Sequence, residues 1–171
     1  TGKKGNEGLF NTQIDKMMRE IPGFKGTYAI NQIKNIKPFA YGSDTKGGTA
    51  NFSFIMNIKP FPQDGHWVAI KVDKDTIEYF DPFGDEPSKR FYAEIKKILP
   101  SNVYQNKISR VIHQTDSSTE CGWFAMKFLK DRLTKTFKDA TGFETIDKTK
   151  KYEKNIKGFI KRVKGFGYIT V

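Results

Sequence analysis

Residues 121–129, Cys-Gly-Trp-Phe-Ala-Met-Lys-Phe-Leu, limit the fold more than any other stretch. Trp123, Phe124, Ala125, Met126, Phe128 and Leu129 are interrupted only by Lys127. A segment that is apolar nearly all round has to be covered on every side, so it predicts a buried helix running to about Leu133. A polar loop precedes it, in which Ser117, Ser118 or Thr119 can each serve as N-cap. Cys121, the single cysteine of the chain, therefore falls in the first turn of a core helix. There the unpaired N–H groups and the positive end of the dipole favour thiolate over thiol. Taken alone, a cysteine in an apolar helix is more often inert core, so the other elements have to decide.

A chain of 171 residues is sized for one domain, residues 1–171, with a real core. Hydrophobic content of 37%, with 15 Phe, excludes a disordered chain. No apolar run approaches membrane-spanning length, which predicts a soluble protein with no membrane partner. The first residue is Thr1 rather than methionine, as removal of an upstream segment would leave it. One cysteine allows no internal disulfide and suits a reducing compartment. With only two histidines it also argues against a Cys/His zinc site, and no metal is expected. The net charge of +11 fits either an anionic partner such as DNA or simple solubility.

Residues 1–8 are Gly- and Lys-rich and are expected to be loose. Ile14, Met17, Met18 and Ile21 predict a helix over Thr12–Glu20, stopped by Pro22-Gly23. Short extended pieces are expected around Tyr28–Ile33, and a glycine-bearing rim loop over Gly42–Gly48. Phe52, Phe54, Met56 and Ile58 alternate with polar residues, as in a strand. A hairpin follows, with strands His66–Val72 and Ile77–Phe83 joined at Asp73–Thr76. A helix is expected over Pro87–Leu99, opened by Pro87 or Ser88, and a strand over Ile108–Gln114. Tyr152, Ile156, Phe159, Ile160 and Val163 mark a last helix within a basic C-terminal segment, residues 148–171. Between Lys148 and Lys164 stand eight Lys/Arg and one Glu, read as a solvated face or as DNA contact.

If Val72 pairs with Ile77, His66 lies opposite Phe83 and Asp81 becomes its diagonal neighbour. Diagonal Cα atoms are about 7–8 Å apart, within reach of an imidazole and a carboxylate. His66 would then share a face with Val68, Ile70 and Val72, and that apolar face would pack on the Cys121 helix. A thiolate nucleophile, an imidazole base and an orienting carboxylate make up the machinery of acyl transfer. His113 is a rival base, nearer Cys121 in sequence, but no carboxylate in its own strand could orient it.

The segments Gly65-His66-Trp67-Val68-Ala69 and Tyr79-Phe80-Asp81-Pro82-Phe83-Gly84 resemble the adenain-like and wider Ulp1-like cysteine proteases. So does Gln114 placed seven residues before Cys121-Gly122. The likeness spans roughly Gly48–Leu133; the acidic position is Asp81, as in the Ulp1-like branch, where adenain has glutamate. It implies an α+β, papain-like or Ulp1-like fold, with a central nucleophile-bearing helix packed on a mixed or antiparallel sheet and flanked by helices. It further implies a catalytic triad of His66, Asp81 and Cys121, with Gln114 as oxyanion donor beside the Cys121 N–H. Trp67, next to the base, would contact substrate or simply pack in the core.

The same resemblance implies a cysteine endopeptidase that cleaves after glycine-containing sequences. Its compact size and spacing point to a maturation protease of a double-stranded DNA virus, processing capsid and structural precursors inside the virion or the infected cell. No cofactor is implied beyond activation by DNA or a peptide. Three alternatives stay open: a protease of ubiquitin-like (SUMO-type) modifiers in cytoplasm or nucleus, a non-enzymatic basic DNA-binding virion protein, and an inactive fold that binds Gly-rich tails.

Overall fold

The computed structural model describes residues 9–39, 51–60, 65–74, 76–99, 105–113, 120–142 and 149–165. Helix α1 (Asn11–Met18) leads into strand β1 (Phe24–Ala29) and a 3₁₀ turn (Ile33–Phe39). Strands β2 (Asn51–Asn57), β3 (Trp67–Asp73) and β4 (Thr76–Phe80) follow, then helix α2 (Lys89–Lys96) and strand β5 (Gln105–Ile108). Helices α3 (Cys121–Asp131), α4 (Phe137–Thr141) and α5 (Thr149–Gly165) complete the described chain. The expected Gly42–Gly48 rim loop and residues 1–8 lie outside the described residues. No helix among the described residues is long and apolar enough to cross a membrane.

The strands form one mixed sheet in the order β1-β2-β3-β4-β5. Its centre, β2-β3-β4, is antiparallel, and each edge strand is parallel to its neighbour. The hairpin register is the expected one: Val72 pairs with Ile77, Ile70 with Tyr79 and Ala69 with Phe80. The link is tight, with Lys74 at φ 56° just after β3, and so small a turn leaves no room for a slipped register. The strand expected over Ile108–Gln114 instead begins at Gln105 and ends at Ile108. Ser109–His113 nevertheless stays alongside β4 and the turn after it, with Ser109 N–H donating to Tyr79 O and His113 N–H to Pro82 O.

Both faces of the sheet are covered. On one, Phe54, Val68, Ile70 and Tyr79 pack against Phe91 and Ile95 of α2 and Ile33 and Ile36 of the 3₁₀ turn. On the other, Ile55, Trp67, Ala69 and Phe80 pack against α3, with α1 and α5 closing the layer through Ile14, Met18, Ile156 and Phe159. The expected layout, with the Cys121 helix on the face shared by His66, Val68 and Ile70, is therefore corrected. That face belongs to α2 and the 3₁₀ turn, and α3 lies on the reverse. The pattern misled because β3 is buried on both sides, so apolar content does not say which helix covers which face.

Helix α3, which begins at Cys121, is held at both ends. At its start, a Cβ on Gly122 would come within 3.2 Å of Trp67 and 3.4 Å of Ile14 and Leu9, so any larger residue would push these side chains back by a few tenths of an ångström. At its far end, Arg132 donates from Nε and Nη2 to the two carboxylate oxygens of Glu78 on β4, at 2.7 and 2.6 Å. Glu78 is 2% exposed, and a carboxylate so buried persists only when paired in this bidentate way.

Candidate active site

His66 directly precedes β3 and Asp81 directly follows β4, so both sit at one end of the sheet, just outside the paired strands. There the strict alternation of strand side chains no longer applies. That is how His66 reaches the α3 side although its neighbours in register face α2. The Asp81 side chain sits in a turn closed by Gly84 N–H donating to Asp81 O at 2.7 Å. Gly84 has φ 76° and its Cβ position lies 2.9 Å from the Arg110 carbonyl, so both the conformation and the space require glycine.

Asp81 Oδ1 accepts two hydrogen bonds, from His66 Nε2 at 2.6 Å and from the Phe83 N–H at 2.8 Å. The backbone bond fixes the carboxylate, and the carboxylate fixes the ring. Phe83 also stacks on the imidazole, with centroids 4.5 Å apart and planes 23° apart, as its position opposite His66 in the register requires. The Cys121 side chain lies beside the imidazole, close enough to act on its charge. Burial works against a charged ring here, but the hydrogen bonds and charges of Asp81 and Cys121 outweigh it and raise the His66 pKa to about 9. The structure thus brings His66, Asp81 and Cys121 together, with Cys121 as the first residue of α3.

The other expected positions fare differently. Gln114 lies outside the described residues, as do Ser117, Ser118 and Thr119. The N-cap of α3 is Glu120, and its side chain makes no capping bond. Just inside the helix start, Gly122 packs closely on Trp67. Trp67 is buried in the core, and its indole N–H donates to the Leu9 carbonyl at 3.0 Å. This is core packing, one of the two roles expected of Trp67. Leu9, 58 positions away, is the contributor the sequence did not reveal. Nothing local marks a residue whose part is a carbonyl and a methyl contact. His113 is buried, 4% exposed, with Nδ1 3.1 Å from the Val111 carbonyl.

Such a cluster offers a sulfur nucleophile at a helix start, a base beside it and an acid that orients the base. Residues 49–164 match the Ulp1 protease family, C-terminal catalytic domain, and the chain belongs to that family of cysteine proteases. It is similar in fold to the pS273R protease of ASFV, with a TM-score of 0.56 and 21% identity, over 89% of this chain and 67% of that one. It is also similar to the Chlamydia trachomatis effector protein Cdu1, solved bound to ubiquitin, with a TM-score of 0.58 and 15% identity, over 95% of each chain. No protein of curated function matches the sequence. The α+β architecture, with a helix-borne cysteine packed on a mixed sheet, is the Ulp1-like protease fold.

Proposed function

We propose that Cys121, His66 and Asp81 form the catalytic triad of a cysteine endopeptidase, and the observation that carries this is His66 hydrogen-bonded to Asp81 with the Cys121 side chain beside its ring. Cys121 attacks the scissile carbonyl carbon as thiolate, forming a tetrahedral oxyanion. With Nε2 committed to Asp81, Nδ1 of His66 holds the thiol proton and passes it to the leaving amine as the C–N bond breaks. The thioester left on Cys121 is hydrolysed when His66 takes a proton from water, which frees the acid product and the thiol. Asp81 keeps the ring oriented and stabilises the imidazolium. The Cys121 main-chain N–H and the Gln114 amide supply the oxyanion donors, each worth about 10²–10³ in kcat in comparable sites.

The substrate is a protein cut after a glycine-containing sequence, with viral capsid or structural precursors first in line and the virion or infected cell as the setting. A second reading, release of ubiquitin-like modifiers, is favoured by the match along 95% of each chain to Cdu1, solved bound to ubiquitin. Activation by DNA would act through α5, where Lys154, Lys157, Lys161 and Arg162 are exposed while Ile156 and Val163 are buried. That contact predicts steep loss of DNA affinity with salt. The deciding experiment incubates the protein with candidate capsid precursors and with ubiquitin-like precursors, and maps the cuts by mass. Cleavage after glycine by wild type and none by Cys121→Ala is expected. Equal cleavage by Cys121→Ala, or no cleavage of any glycine-containing protein, would end the proposal.

A further inference from the structure

The buried histidine that the triad does not use sits between its parts. Rings from three elements enclose the His113 imidazole: Phe80 of β4 at 5.0 Å between centroids, Phe124 of α3 at 5.9 Å and Tyr152 of α5 at 4.2 Å. Two of these neighbours stand next to the site in sequence. Phe80 directly precedes Asp81, and Phe124 lies one turn beyond Cys121. The His113 main-chain N–H meanwhile donates to Pro82 O at 2.7 Å, inside the turn that holds Asp81 and Phe83. Its ring Nδ1 lies 3.1 Å from the Val111 carbonyl, so the side chain is tied to the scaffold and not to the triad.

We propose that His113 is a positioning residue, whose neutral ring sets the spacing between the strand end that carries Asp81 and the helix start that carries Cys121. This rests on the triad assignment made above. An interior is packed closely enough that removing such a ring lets the flanking elements shift. Here those elements are the ones bearing the acid and the nucleophile. The surroundings also keep the ring uncharged. Burial lowers its pKa to about 4, the backbone bonds to Val111 and Thr141 oppose this, and the charge of Lys127 adds to it. Lys127 and Asp131 of α3, Lys135, Asp139 of α4 and Tyr152 of α5 border the same cavity of about 240 Å³, while β4 presents only Phe80 there. Lys127 is itself paired to Asp131 at 2.6 Å.

The test compares wild type, His113→Phe and His113→Asn by kcat and KM on a glycine-containing peptide, by the rate of Cys121 alkylation and by thermal melting. His113→Phe keeps the spacer and is expected to keep most of the wild-type rate. His113→Asn keeps a donor for Val111 but loses the ring. It should lower kcat by roughly ten- to a hundredfold at unchanged KM, since misplacing a catalytic group by about 1 Å can cost on the order of 10²-fold. Should His113→Asn not fold, wild type decides. Its alkylation rate, followed as pH falls through about 4 with His113 protonation read by NMR and the fold by tryptophan fluorescence, should drop in step with that protonation. An unchanged rate across His113 protonation, or a His113→Asn protein with wild-type kcat, overturns the positioning role alone. A wild-type Cys121 no more reactive than free cysteine overturns the triad assignment and the positioning role together.

Discussion

The two faces of the sheet are equally buried and do different work. The face under α2 and the 3₁₀ turn is mostly hydrocarbon, built from residues such as Phe54, Ile70 and Phe91. The face under α3 is also apolar but includes Trp67, Phe80 and Cys121, and it ends at His66 and Asp81. One side supplies stability, and the other spends its packing on holding three polar groups at one end of the sheet. Damage to the first should appear in melting and damage to the second in turnover, and each experiment below tests whether that separation holds.

His66→Ala should produce the largest effect on turnover, lowering kcat by about 10²–10⁴, the usual worth of a positioned general base, with a melting temperature that matches wild type only at alkaline pH, where the ring has lost its proton. A kinetic assay paired with a thermal melt checks both halves. Phe91→Ala on the opposite face should do the reverse, costing about 3–5 kcal/mol in a urea titration and leaving the activity of the folded fraction intact. Loss of turnover in correctly folded Phe91→Ala would show that the faces are coupled.

A third experiment reads charge instead of volume. Because the His66 pKa is raised from 6.5 to about 9, the folded state holds this proton more tightly than the unfolded chain. The resulting stability is fully present below about pH 6.5 and is lost as pH rises through about 9. Stability curves of wild type and His66→Ala should therefore converge at alkaline pH. His113 has the opposite sign: its depressed pKa makes stability fall as pH drops from about 6.5 toward 4. The smallest effect is expected from Ser88→Ala, which removes the side-chain bond to the Phe91 N–H at the start of α2 and should cost about 1 kcal/mol with no change in activity.

Much of the site was readable before any coordinates. The hairpin turn fixes its own register, and that register placed His66 opposite Phe83 and within reach of Asp81. The apolar run after Cys121 could only be a buried helix, and it is one. The layering was not readable, because β2 and β3 are apolar on both faces and alternation carries no label for the covering helix. Ile55, which packs toward α3, interrupts the very pattern that identified β2. Parallel pairing of β1 with β2 joins segments more than twenty positions apart, and no local signal encodes it. The strand expected to end at Gln114 was displaced because Gln105–Lys107 is exposed and shows no apolar alternation, whereas Ser109–His113 continues the line without regular pairing. The short helix α4 offers too few turns for a period to emerge.

The bidentate grip of Arg132 on Glu78 has a mechanical consequence. Together with the flush seat of Gly122 against Trp67, it prevents the eleven-residue helix from sliding along its own axis. The sulfur is thereby a fixed reference point on the sheet, anchored from both ends of the helix that bears it.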